Sequence, residues 1–228
     1  MDKAIVFVNS YDFTKTNASL FRLLAIARGL IENGVDVYWI LLASKPTKEI
    51  ITDPYYKKIV FITLGKHFNK YKRNKYLFYL YRNLQVFKVN SLICVLKKQH
   101  KTLACYTYGD EFFLNYFLAK ICKKQKIQIY NETTEYPKLI DDDLNNIKKI
   151  RLYIRSQLYL KYFITNVDHI FVISKALKQF FDTHLKKYKK KIPVSVLNMM
   201  VEPVRYSCSY SSSDSKYKDI VFVGSMYG

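Results

Sequence analysis

The chain has 228 residues, half of them hydrophobic and a quarter charged, with a formal net charge of +20 at neutral pH. That length can bury a sizeable core, so one domain of about 200 residues is the expectation, and no apolar run approaches the ~20 residues that a membrane-spanning helix needs. Four cysteines without a CxxC pair and four widely separated histidines point away from a zinc site or a disulfide framework and toward free thiols in a reducing compartment.

Met1-Asp2-Lys3 leads into Ala4 to Val8, a run too short for a secretory signal, so a cytoplasmic location is expected. The positive charge favours anionic partners, namely nucleic acid, anionic lipid or phosphorylated ligands. A bias of the whole composition toward Lys, Tyr, Asn and Ile would produce the same excess, and both readings stay open.

Residues 4–8, 35–42, 59–64, 103–108, 127–131, 169–173 and 193–197 are short apolar runs between polar boundaries. Such runs suit strands of a sheet covered on both faces. Between the first two, Leu20, Leu23, Leu24, Ala27, Leu30 and Ile31 form one helical stripe, which Asn33-Gly34 ends through a left-handed glycine. Residues 76–98, 110–125 and 144–166 are further helix candidates. Ser174 caps another that carries Ala176, Leu177, Phe180, Phe181 and Leu185. Alternating strands and helices predict an α/β fold, a doubly wound parallel sheet with ligands at the carboxyl ends of its strands.

Residues 199–217, rich in Ser and containing Pro203, read as a linker after a first domain of residues 1–198. Asp219 to Val223, followed by Gly224-Ser225, reads as the first strand and turn of a second α/β domain over 218–228, cut short. GxGxxG, GxxxxGK[ST] and GxSxG are all absent, which argues against a dinucleotide site, a P-loop or a nucleophile elbow.

Three loops carry chemistry at predicted strand ends. After the first strand, Asn17 or Ser19 can cap the first helix or help its N–H groups hold an anion. Asp110 and Glu111 follow Tyr108-Gly109, where they suit either a helix start or a site. Glu132 and Glu135 sit three apart directly after a strand, with Pro137 stiffening the exit. Two acidic clusters at neighbouring strand ends of so basic a chain favour a site over two solvated loops.

The order of these pieces resembles the N-terminal domain of GT-B glycosyltransferases of retaining family 4 across nearly the whole chain. Asn17 to Leu30 with Gly34-Val35-Asp36-Val37 is similar to that family's first helix and second strand. Glu132-Thr-Thr-Glu135-Tyr-Pro137 resembles its E-x-x-E-x-P loop. Asp168 to Leu177, Val196 to Tyr206 and Phe222-Val-Gly224-Ser225 resemble its later strand, its linker entry and the opening of its second domain. The chain departs from the family pattern in lacking the Gly-Gly pair of the first loop, and Met199 stands where a glycine is usual.

The resemblance implies a Rossmann-like acceptor-binding half of a retaining transferase that uses a nucleotide-sugar donor and neither metal nor cofactor. It implies acceptor contacts from Asn17, Ser19, Tyr108, Glu132 and Glu135, with Asp110 or Glu111 orienting the attacking hydroxyl. Gly224 and Ser225 would face the donor, which a C-terminal half beyond Gly228 would bind. The acceptor would be a growing surface or cell-wall glycan, lipid-linked in many such systems, with the enzyme peripheral at the inner membrane face. Lys66 to Arg82 and helix 144–166, where basic and aromatic residues mix, are the expected contact surfaces with anionic lipid. The reading from a different class is a nucleic-acid-binding module, suggested by the charge with 21 Tyr and 15 Phe. Most of those aromatics fall on apolar stripes, so core packing is the expectation and nucleic acid the less favoured partner.

Overall fold

The computed structural model of the chain describes residues 3–9, 18–42, 46–54, 56–64, 75–109, 112–137 and 146–197. In chain order the elements are β1 (Lys3–Asn9), α1 (Ala18–Glu32), β2 (Asp36–Leu41), α2 (Lys48–Thr52), β3 (Val60–Thr63) and α3 (Lys75–Gln99). Then come β4 (Thr102–Tyr108), α4 (Phe112–Gln125), β5 (Gln128–Thr133), α5 (Asn146–Leu158), β6 (His169–Val172), α6 (Lys175–Lys187) and β7 (Val194–Val196). The linker and second-domain strand expected over 199–228 lie outside the described residues.

The strands form one sheet in the order β3-β2-β1-β4-β5-β6-β7, and every pairing is parallel. This is the doubly wound α/β fold that the alternating pattern predicts. Burial on both faces explains the apolar runs. In β1, Val6 and Val8 face a core shared with Cys105, Ile129, Ile170 and Val172 under α3, α4 and α6. Ile5 and Phe7 face a second core with Trp39, Leu41 and Tyr106 under α1. The largest fully buried side chains are aromatic or leucine-sized, led by Trp39, Tyr56 and Tyr159, so much of the aromatic content is core.

Helix ends follow local chemistry. Gly34 stands at φ +75°, and the Val35 N–H reaches back to the Leu30 carbonyl at 3.0 Å, the bond that closes a Schellman end. Ser174 Oγ accepts from the Leu177 N–H at 3.2 Å and caps α6. The segment expected as one helix over 144–166 changes pitch. After α5 it passes into a π turn (Tyr159–Phe163) and a 3-10 turn (Ile164–Asn166). Tyr159 and Phe163 within the π turn are both fully buried.

β1 and β4 are neighbours, and the chain winds outward from them in opposite directions. The crevice between their carboxyl ends is therefore the switch point at which doubly wound sheets hold ligands.

Candidate functional site at the carboxyl ends of the sheet

Four elements meet at this edge: the ends of β1, β4 and β5, and the first turn of α1. The Tyr108 hydroxyl, at the end of β4, donates to Ser19 Oγ at 3.1 Å and lies 3.0 Å from Thr134 Oγ1, just past β5. Three hydroxyls from three separate elements thus converge, and two of them belong to residues singled out in the sequence. Such a cluster can donate to or accept from an alcohol without carrying charge.

Beneath it lies a buried charged network. Arg22, on α1, forms an ion pair with Glu132 through Nε and Oε1. The other carboxylate oxygen accepts from the Tyr106 hydroxyl at 2.6 Å. Arg22 Nη2 donates to the Leu197 carbonyl at 2.7 Å, just past β7. Burial, first, and the adjacent Glu132 charge raise the Tyr106 pKa well above its ordinary value, so the phenol stays a neutral donor.

The exposed-loop position expected of Glu132 is corrected here. Glu132 belongs to β5, pairs with Tyr108 in the sheet register and is 0% exposed. A carboxylate so placed needs a counter-charge and hydrogen bonds on both oxygens, and Arg22 and Tyr106 supply them. It therefore holds α1, β4 and β5 together, and its oxygens are taken. Glu135 does lie exposed on the rim. The Thr133 hydroxyl donates to its carbonyl at 3.1 Å, and the next ring, Tyr136, meets Phe180 of α6 edge-on at 5.4 Å.

Two features escaped sequence reasoning. Arg22 borders an apolar stripe, and the acid it pairs with lies 110 residues away. Asn9 ends β1 on the same strand face as Phe7, is 5% exposed, and its Oδ1 is a buried acceptor without a hydrogen-bond partner among the described residues. A buried polar group left open at a switch point is suited to accept from a ligand. Gly109, at φ +80°, turns the chain away from β4, and its N–H donates to the Glu132 carbonyl at 2.8 Å. Asn17, Asp110, Glu111, Gly224 and Ser225 lie outside the described residues. No group of three or more His, Cys, Asp or Glu among the described residues is placed to hold a metal ion.

No protein-family model matches the chain, and no curated protein sequence matches it. Solved structures do. UGT2 of Phytolacca americana, solved with UDP-2fluoro-glucose and pterostilbene, aligns at a TM-score of 0.62 and 14% identity, over 88% of this chain and 55% of that one. UGT89C1 of Arabidopsis thaliana, solved with UDP-L-rhamnose, aligns at 0.52 and 8% identity, over 91% and 57%. Alr3699/HepE of Anabaena, solved with UDP-glucose, aligns at 0.51 and 13%, over 91% and 47%. The fold is thus the Rossmann-like α/β fold found in GT-B glycosyltransferases. The chain spans about half the length of these structures.

Proposed function

We propose that this chain is the acceptor side of a glycosyltransferase that moves a sugar from a nucleotide-sugar donor to a glycan hydroxyl. The observation that carries the reading is the convergence of Ser19, Tyr108 and Thr134 at the switch point, with the Asn9 acceptor at the end of the neighbouring strand β1. Uncharged hydroxyl and amide groups on a rigid strand edge suit recognition of a polyol. The neutral cluster and Glu135 hold the acceptor, and Asp110 or Glu111 orients the attacking hydroxyl. Asn17 contributes to the acceptor side. In this reading the reaction retains anomeric configuration and needs no metal. The nucleotide-sugar donor is held by a separate domain, with Gly224 and Ser225 contributing to its site.

The acceptor in this reading is a lipid-linked surface or cell-wall glycan, and the enzyme sits peripherally at the membrane's inner face. No described helix is long and apolar enough to cross a membrane. Exposed apolar residues on adjacent helices support peripheral contact: Leu84 and Phe87 of α3, Phe113 and Phe117 of α4, Ile150 and Tyr153 of α5. The expected surface on 144–166 changes in detail, since Tyr159 and Phe163 point inward while Tyr153 and Tyr162 remain outside. Of the first candidate surface, residues 66–74 lie outside the described residues.

The test extends the chain with the coding sequence downstream of Gly228 and measures transfer of labelled sugar from a panel of UDP-sugars into a membrane extract. Incorporation that falls in Tyr108→Phe supports the reading. Absence of transfer from every donor, with the extended protein folded, overturns it.

A further inference from the structure

At the opposite end of the sheet, the starts of β5, β6 and β7 border an open groove of ≈ 500 Å³. That is enough room for a small-molecule ligand. Its walls carry Lys123, Lys126, Lys190 and Lys191, and its floor includes the buried Cys122 and Ile127. All four lysines are exposed, and none has an ion-pair partner among the described residues. The one carboxylate on the wall, Asp168, accepts the Ile129 N–H at 2.7 Å.

Lysines in the last turn of a helix complement its negative end, and that explains Lys123. It does not explain Lys126, Lys190 and Lys191, which lie beyond the last turns of α4 and α6. The backbone marks the same place. Among the described residues other than glycine, only Lys126 (φ 54°) and Lys189 (φ 52°) adopt the left-handed conformation. Each occupies the position after a helix where glycine is the usual choice. The Ile127 N–H bonds the Cys122 carbonyl at 2.9 Å, and the Lys190 N–H bonds the Leu185 carbonyl at 3.0 Å. Lys126 lines the groove from such a position, and Lys189 directly precedes the lining residues Lys190 and Lys191. Strain of this kind gathers where a ligand is held.

We propose that this groove is a second binding site, remote from the cleft, for a free ligand that carries two or more phosphate groups. Four lysines, two from the end of α4 and two from the segment before β7, match a multiply charged anion better than a single phosphate. The site stands independently of the glycosyl-transfer reading.

Calorimetric titration of the full 228-residue chain with inorganic pyrophosphate tests it. Wild-type protein binds. Replacing Lys123, Lys126, Lys190 and Lys191 with Gln weakens binding on the order of tenfold or more, as loss of two or more charge-assisted hydrogen bonds should. A control with Lys57, Lys58, Lys88 and Lys98 changed to Gln binds as the wild type does, and so does the groove set changed to Arg. The proposal is overturned if wild-type protein does not bind pyrophosphate, or if the control weakens as much as the groove variant. It is also overturned if the Arg set loses binding, or if phosphatidylglycerol vesicles bind at these lysines while pyrophosphate does not.

Discussion

Glu132→Gln is the most informative single change at the cleft. The substitution keeps size and one acceptor oxygen but removes the negative charge that Glu132 sets against the Arg22 guanidinium, 7% exposed. Leaving one member of a buried pair uncompensated costs roughly 3–5 kcal/mol. We expect about 3 kcal/mol, the low end, because Arg22 keeps the Leu197 carbonyl and the Gln oxygen still accepts. That is a large share of the ~5–15 kcal/mol by which domains are stable. With a urea slope of about 2 kcal/mol/M, the unfolding midpoint falls by about 1.5 M. Arg22→Met alone strands the carboxylate and falls similarly. The pair Arg22→Met/Glu132→Leu removes both charges together, so its loss is smaller than the sum of the singles by ~2 kcal/mol or more. Single variants that unfold within ~0.5 kcal/mol of wild type, as surface changes do, would refute the buried pair.

Four further outcomes follow from the geometry. Lys126→Gly and Lys189→Gly each remove a left-handed non-glycine residue, so thermal unfolding should show a gain of about 1 kcal/mol apiece. Ser174→Ala removes the α6 cap and should cost about 1 kcal/mol by the same measurement. Burial is the main cause that lowers the His169 and His184 pKa values below 6.5. The unfolded chain therefore binds protons first on acidification, so this stability is present above pH 6.5 and is lost as pH falls through the folded values. Unfolding midpoints should decline below pH 6.5, and the decline should shrink in His169→Gln/His184→Gln. Vesicle sedimentation should show binding that needs anionic lipid, weakens with salt and drops in Phe87→Ser/Phe113→Ser; equal binding to neutral vesicles would count against an electrostatic component.

The sheet was legible because parallel strands buried on both faces write themselves as unbroken apolar runs, and each of the seven such runs overlaps a strand. Gly34 and Ser174 marked helix ends because their conformations are intrinsic to those residue types. α2 was missed: at five residues it carries no stripe. The pitch change at Tyr159 was also hidden, since apolar spacing alone does not distinguish a π turn from the helix before it. At the cleft, Ser19 and Tyr108 could each be singled out, but not the bond between sequence-distant side chains. Glu132 looked like a loop acid because β5 runs further than its apolar segment, through Asn131 and Glu132 to Thr133. The polar side chains that lengthen the strand are satisfied only in three dimensions. Tyr159 donates to Asn131 Oδ1 at 2.8 Å, and Asn131 donates to Thr107 at 3.0 Å.

The ties that Arg22 makes also set an order of events during synthesis. Its carboxylate partner is made 110 residues later and its carbonyl partner 175 residues later. At about 5–20 residues per second, a nascent chain carries Arg22 for roughly 5–20 s before Glu132 is made. Over that interval α1 has its apolar stripe to bury while the acid that pairs with Arg22 is still to be made. The cleft edge is therefore assembled late. The tie to Leu197, whose backbone N–H is bonded to the Val172 carbonyl of β6, is the last to become available. A ribosome stalled before residue 132 would hold a chain with β1, β2 and β4 already made and both of these Arg22 ties still to form.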